Sequence, residues 1–144
     1  MIATIEIPMP LPSLSNGRGH SRERGRIVKR QRETVMRALM VPWSLALGDA
    51  CLTLAPLTIT LVRVAPRGLD DDNLRGALKA SRDSVTAWLG HTDDAHPHLR
   101  WMYGQAVDEQ RRAKYQAARV TIVIGHHDCA VCGQSLARPE KLSR

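Results

Sequence analysis

Three consecutive aspartates stand at the start of a helical pattern in a chain that is otherwise strongly basic. The stretch "RGLDDDNLRGALKASRD" covers residues 67–83, and its aspartate run is Asp70, Asp71 and Asp72. Neighbouring like charges repel one another, and a bound cation relieves that repulsion. Residues two apart in an extended segment point the same way, so Asp70 and Asp72 can converge on one cation. Carboxylate oxygens are ligands of Mg²⁺, which keeps several waters and leaves room for a phosphate.

Helix capping is a competing explanation for the same residues. Aspartate and asparagine cap helices well, and the helix dipole favours negative charge in the first turn. One or two carboxylates meet that need, whereas the chain supplies three and adds Asp93 and Asp94 after the helix. Metal binding and capping are therefore both kept as interpretations.

The predicted helix has a polar line and an apolar stripe on opposite sides. With Asp72 as the origin and about 100° per residue, three later residues lie within roughly 40° of it: Gly76, Lys79 and Asp83. Carboxylates with a lysine one or two turns away suit metal-assisted phosphodiester cleavage. The metal activates water, and the lysine stabilises the charge of the transition state. An ion pair with Asp83 is the structural alternative for Lys79.

Hydrophobic periodicity predicts the elements that must position these residues. Alternating or β-branched runs predict four strands: "ATIEI" (3–7), "PLTITLVRV" (56–64), "LRWMYGQAV" (99–107) and "ARVTIVIG" (118–125). Apolar residues at helical spacing predict two main helices: about 27–40 and about 73–89. The polar stretch 13–26 has no periodicity and predicts a loop. We therefore expect an α/β (α+β) fold in which a small mixed sheet of about four strands carries two helices.

An ordered set of motifs in the chain resembles the RusA-type Holliday-junction resolvases, small endonucleases common in phages and prophages. The shared pieces are Asp-x-Asp-Asn at residues 70–73, helical Lys79 with Asp83 four residues later, and the pair Asp93 and Asp94. The segment "PSLSNGRGH" at residues 12–20 is similar to the family's Pro-Ser-x-x-Asn with a following Arg and His. The resemblance covers roughly residues 2–125.

The resemblance implies a Mg²⁺-dependent, structure-selective endonuclease that resolves Holliday junctions and other branched DNA by paired nicks. It implies that Asp70, Asp72 and Asp94 are catalytic carboxylates that bind the metal. It also makes Asp93 an expected further ligand, secondary to Asp94, and Mn²⁺ an expected substitute for Mg²⁺. Lys79 is the expected catalytic lysine, although it follows Asp72 by seven residues where the family lysine follows by four. A homodimer acting on a four-way junction is the expected assembly.

Basic residues are concentrated before and within the first predicted helix. Arginine and lysine make up eight of the twenty residues from 18 to 37, and the planar fork of arginine suits phosphate oxygens. The candidate DNA-binding residues are Arg18, His20, Arg22, Arg24, Arg26, Lys29 and Arg30. A solvated basic helix face explains the same charge pattern, and a GC-rich genome explains the preference for arginine over lysine.

A tail rich in cysteine and histidine follows the predicted endonuclease domain. The domain is assigned to residues 1–125 and the tail to residues 126–144. The candidate Zn²⁺ ligands, which include a C-x-x-C pair, are Cys129, Cys132, His126 and His127. The two cysteines supply two ligands and either histidine can add a third, while Cys51 or a second subunit can supply the fourth. Free thiols in a mobile tail are the alternative.

Composition narrows the class of protein and its partners. A chain of 144 residues with 43% hydrophobic residues suits one globular domain. A net charge of +7 and a pI near 10.0 favour polyanionic partners such as nucleic acid. No apolar run approaches the roughly 20 residues of a membrane span, the first residues lack the features of a signal peptide, and three cysteines do not make a disulfide framework. We therefore expect a cytoplasmic protein without membrane contact.

Three functions are compatible with the sequence. The leading one is the Mg²⁺-dependent endonuclease of branched DNA. The second is a non-catalytic basic DNA-binding module with a zinc-binding tail, and the third is a degenerate family member that serves as an adaptor. Incubation with a labelled four-way junction, with and without Mg²⁺, separates them.

Overall fold

The computed structural model describes residues 2–12, 21–40, 56–92, 94–95, 98–110, 112 and 115–124. Several predicted site residues lie outside these ranges: Arg18, His20, Cys51, Asp93, His126, His127, Cys129 and Cys132. The elements are β1 (Ile2–Pro8), α1 (Ser21–Met40), β2 (Leu57–Ala65), α2 (Asp71–Trp88), β3 (Leu99–Val107) and β4 (Ala117–Ile124). The predicted fold class, a small α+β fold with a four-stranded mixed sheet and two helices, is confirmed.

The four strands form one sheet in the order β1–β4–β2–β3. Strands β2 and β3 run parallel, whereas β4 pairs antiparallel with both β1 and β2. A parallel pair needs a crossover connection, and α2 lies on the one between β2 and β3. Pro8 of β1 and Val64 of β2 both pair with Ala117 of β4, and Val64 also pairs with Ala106 of β3. Strands β1, β2 and β3 therefore finish at one end, called here the carboxyl end of the sheet.

Both helices bury their apolar stripes against the same face of the sheet. The buried cluster joins residues from every element: Ile7, Val35, Leu39, Leu57, Ile59, Leu61, Leu74, Leu78, Val85, Leu99, Val120 and Ile122. Core positions recur every second residue in the strands and every third or fourth in the helices, as the two geometries require. Burial of the α2 stripe fixes the rotation of that helix. Asp72, Gly76 and Lys79 are exposed on its other side, as predicted.

Helix α1 begins at Ser21, six residues before the predicted start near Ile27. The prediction of a loop over 21–26 was wrong because "SRERGR" has no apolar residue and is exposed throughout. A helical turn without core contact leaves no periodicity in the sequence. The other predicted elements agree with the observed ones to within two residues. No helix in the described part of the chain is long and apolar enough to cross a membrane.

Candidate functional site

The aspartate run begins α2 at the carboxyl end of the sheet. Asp70 is the N-cap residue, and its Oδ1 accepts a hydrogen bond from the backbone N–H of Asn73 at 2.9 Å. Its Oδ2 accepts a second bond from Asn73 Nδ2 at 2.8 Å. Such a cap satisfies helix N–H groups that would otherwise lack partners. Capping therefore accounts for Asp70, while each carboxylate oxygen keeps a further lone pair for another ligand.

Asp71 and Asp72 occupy the first turn of α2 and are exposed. Arg75 Nε lies 3.1 Å from Asp71 Oδ2, and the two side chains are 61% and 72% exposed. An exposed pair of this kind contributes only about 0.3–0.5 kcal/mol. Near Asp72, a Cβ added at Gly76 would meet no atom within 4 Å, so the space beside that residue is open. The solvent-facing line predicted from helical spacing is thus accessible.

Gln105 on β3 holds the loop that leads into Asp70. Its Oε1 accepts a hydrogen bond from Leu69 N, and its Nε2 donates to Leu69 O, both at 2.8 Å. Gly68 approaches the same amide, because a Cβ at this position would lie 3.5 Å from Gln105 Oε1. Sequence reasoning missed this clamp, and nothing in the strand pattern distinguishes Gln105 from an ordinary exposed residue.

Arg63 on β2 also holds the loop that leads into Asp70. It is only 5% exposed on β2, and it donates from Nη1 to Arg67 O at 2.7 Å and from Nε to Leu11 O at 3.2 Å. Burial lowers the pKa of Arg63, and the carbonyl partners compensate for lost hydration. An arginine at a core-facing position of the apolar strand is a signal that sequence reasoning passed over.

Asp94 follows α2 in the chain and lies beside the second half of that helix. Its Oδ2 is 2.7 Å from Arg82 Nε, an ion pair whose angle falls outside hydrogen-bonding geometry. Its backbone carbonyl accepts a hydrogen bond from Trp101 Nε1 at 2.8 Å. Arg82 follows Asp71 by eleven residues, which is about 16 Å along the helix axis. Within one copy, the structure therefore brings Asp94 to Arg82 and not to the aspartate run.

Lys79 and Asp94 line the same surface hollow, which has a volume of about 290 Å³. Asp83 and His91 line it as well. Lys79 Nζ lies 3.7 Å from Asp83 Oδ1, and Asp83 also pairs with Arg32 of α1. The Lys79 side chain is 71% exposed, so this pair is weak. The predicted lysine is thus accessible from solvent and shares a surface with the third predicted carboxylate.

Asp70 and Asp72 suit Mg²⁺ by their chemistry, but the three carboxylates implied by the resemblance do not come together in one copy. Within the described ranges, no three His, Cys, Asp or Glu side chains are grouped so that they could hold a metal ion. Asp70 and Asp72 still offer exposed carboxylate oxygens, and Mg²⁺ is often held by one or two carboxylates together with phosphate oxygens and water. The expectation that Asp70 and Asp72 point the same way from an extended segment was wrong, because Asp72 lies in the first turn of α2. The donor chemistry of the two carboxylates still suits Mg²⁺, whereas the described residues of one copy do not assemble the three carboxylates that the resemblance implies.

The described DNA-binding candidates lie on the solvent side of α1. Burial of Gln31, Val35 and Leu39 fixes the rotation of this helix. The candidates that it carries are all exposed: Arg22, Arg24, Arg26, Lys29 and Arg30. Exposed guanidinium and ammonium groups of this kind are accessible to phosphate oxygens.

A row of arginines and aromatic rings follows α2 along the edge strand β3. Arg75 lies over the Tyr103 ring at 5.4 Å, and Arg82 lies over the Trp101 ring at 5.3 Å. Each such contact contributes about 0.5–1 kcal/mol at exposed sites. Burial raises the pKa of Tyr103, and the positive charge of Arg82 opposes that rise. The same two arginines form the ion pairs with Asp71 and Asp94. Sequence reasoning missed the row because the partners are distant in the chain.

No protein-family model matches this chain, and no curated protein matches it. What the chain does is therefore inferred from its motifs and from the geometry of these residues.

Proposed function

We propose that this chain is a divalent-metal-dependent endonuclease that cuts branched DNA, with paired nicks in a four-way junction as the product. The observation that carries the proposal is the exposed carboxylate pair at the start of α2. Asp70 and Asp72 stand at the carboxyl end of a parallel strand pair, where α2 begins after a loop held by Gln105 and Arg63. Exposed carboxylates at a helix start that is held in this way are a suitable position for a hard cation beside a phosphate.

Asp70 and Asp72 would hold the metal, with Mn²⁺ able to replace Mg²⁺. When bound, the metal supplies an activated water and neutralises charge on the phosphate. The protein side chains have separate tasks: Asn73 orients Asp70 through its amide, and the basic face of α1 binds the flanking phosphates. Lys79 contributes positive charge to the transition state from its exposed position in the hollow with Asp94.

The third carboxylate is supplied by a second copy in the homodimer. Asp94 pairs with Arg82, whose backbone is about 16 Å along α2 from Asp71, and it lines a surface hollow with Lys79. A two-fold dimer repeats every surface, so the hollow of one subunit can face the aspartate run of the other. The resulting two sites explain why paired nicks would require a dimer.

Cleavage of a labelled four-way junction by the purified full-length chain tests the proposed activity. We expect nicks with Mg²⁺ or Mn²⁺, none with excess chelator, and much slower cutting of a linear duplex of the same sequence. A protein that binds the junction but never cuts it with either metal contradicts the proposal.

The basic face of α1 predicts steep salt dependence of junction binding. Each phosphate contact that is lost lowers the slope of log affinity against log salt by about 0.9. Joint replacement of Arg24, Arg26 and Arg30 by glutamine should therefore flatten the slope by about 2.7 if all three contact phosphates. Arg100→Gln is the matched control because Arg100 is exposed on β3, away from α1. If the triple variant and the wild type have equal slopes, these three arginines do not contact phosphates and this face of α1 is only a solvated surface.

A non-catalytic basic DNA-binding module is the second candidate. It is favoured by the ion pair that ties Asp94 to Arg82 and by the separation of Asp94 from the aspartate run. Tight, salt-dependent junction binding without metal-dependent cleavage would select it. The zinc-binding tail and the cytoplasmic location stay predictions under either function.

A further inference from the structure

A cleft separates the proline segment after β1 from the first half of α1. Its volume is about 410 Å³, within the range of roughly 300–1,000 Å³ found for small-ligand sites. Met9, Pro10 and Ile27 supply apolar walls. Pro8 lines the cleft as well and ends β1, so the cleft opens at the carboxyl end of the sheet, where α2 also begins.

Gln31 lines this cleft and carries an acceptor without a partner. The residue is only 3% exposed, and its Nε2 donates to Pro10 O at 2.8 Å. Its Oε1 is itself buried and accepts no hydrogen bond from any described residue. A buried acceptor without a donor is costly and uncommon in folded proteins. A bound group with an N–H donor that displaces the wall of the cleft at Gln31 would therefore gain a hydrogen bond that the described residues do not make.

The charges around the cleft favour an anionic ligand. Arg26 and Arg30 line it and are exposed, and Glu23 is the one carboxylate among its described lining residues. A ligand that matches all three features has flat apolar faces, an N–H edge and a negative charge. A nucleotide with an unpaired base has this chemistry, because pairing would otherwise occupy the N–H edge of the base.

We propose that the cleft binds one unpaired nucleotide of the DNA substrate, with the base against Met9 and Pro10, its N–H edge on Gln31 Oε1 and its phosphate near Arg26 and Arg30. The inference rests on the proposed function for its choice of DNA as the ligand. Branched DNA supplies bases that are easily unpaired at the branch point, which lowers the cost of extrusion.

One buried side chain connects the cleft to the aspartate run. Arg63 donates to Leu11 O in the proline segment and to Arg67 O in the loop before Asp70. Both segments therefore lie against the same guanidinium at the carboxyl end of the sheet. A strand that places its base in the cleft is thus held next to the loop that positions the carboxylates.

Binding measurements test the inference by asking whether the effect of removing the base depends on Gln31. The probes are strands of eight nucleotides in which seven positions are abasic and the central position either carries a base or is abasic. The phosphates therefore stay constant, and only one base can enter the cleft. We expect removal of the base to weaken binding to wild type by about tenfold. The Gln31→Met variant should bind the probe with the base about tenfold more weakly than wild type does. It should bind the probes with and without the base equally well. Losses that simply add, or an unchanged affinity in Gln31→Met, overturn the inference.

Two further variants keep the result decisive. Gln110→Met is the matched control, since Gln110 is an exposed glutamine after β3, and it should retain the full tenfold base dependence. Thr34→Met adds a larger side chain at a partly buried position on the cleft and should also abolish base dependence, even if Gln31→Met fails to fold. Junction cleavage is measured separately. If the protein cleaves junctions but the effects of removing the base and of replacing Gln31 simply add, the cleft inference alone is wrong. If the two effects depend on each other but the protein does not cleave, the nuclease proposal alone is wrong.

Discussion

Asp72→Asn is expected to abolish cleavage of a four-way junction while the junction stays bound. The substitution removes a charged metal ligand but keeps the size of the side chain. We expect the single-turnover rate to fall by about three orders of magnitude or more, equivalent to about 4 kcal/mol of transition-state stabilisation. Binding should be equal or tighter, because one negative charge near the DNA phosphates is gone. Asp70→Asn should behave alike, since asparagine also caps helices well.

Asp71→Asn is the matched control for this experiment. It removes the same charge from the same exposed turn, where Asp71 makes only an exposed pair with Arg75. The effect on stability should stay within about 0.5 kcal/mol, and cleavage should remain close to the wild-type rate. If Asp72→Asn and Asp71→Asn cut equally fast, Asp72 is not a metal ligand and the aspartate run is a helix-capping feature only.

The sequence predicted most of the fold because the core leaves a periodic pattern. Leu57, Ile59 and Leu61 alternate along β2, and Leu74 and Leu78 are four residues apart on α2. The first turns of α1 were missed because residues 21–26 touch no core and have no apolar residue. The parallel pairing of β2 with β3 was not predicted either, since strand direction depends on how α2 packs across the sheet.

The candidate site was predictable only where it is local in sequence. The aspartate run and its capping role follow from residue types at a helix start, whereas the sequence did not single out Asp70 as the N-cap. The ion pair of Asp94 with Arg82, by contrast, joins two segments whose relative position is set by the packing of α2 on the sheet. Gln105 reaches the loop before Asp70 because β3 lies beside β2. The motif therefore pointed to the carboxylates but not to the separation of Asp94 from the aspartate run.

Mixed dimers of Asp72→Asn with Asp94→Asn are expected to recover activity that neither variant has alone. In a site built from two copies, one of the two sites in the mixed dimer contains an intact Asp72 and the intact Asp94 of the partner subunit. The other site lacks both carboxylates. The mixed dimer should therefore nick junctions at about half the wild-type rate per dimer, and it should make single nicks in place of paired ones.

A mixed dimer of wild type with Asp72→Asn is the control for subunit pairing. It retains one intact site whether the carboxylates come from one copy or from two, so it should nick under either arrangement. Co-expression with two different affinity tags allows each mixed dimer to be purified before the assay. The control also shows that a dimer with a single working site produces measurable nicks.

The most direct test of the account is the nicking rate of the purified Asp72→Asn and Asp94→Asn mixed dimer on a labelled four-way junction in Mg²⁺. The account predicts single nicks at about half the wild-type rate, with neither variant alone active and no nicks when the metal is chelated. A mixed dimer as inactive as its two parents, beside a control dimer that nicks normally, would contradict a metal-dependent nuclease site assembled from the aspartate run of one copy and Asp94 of the other.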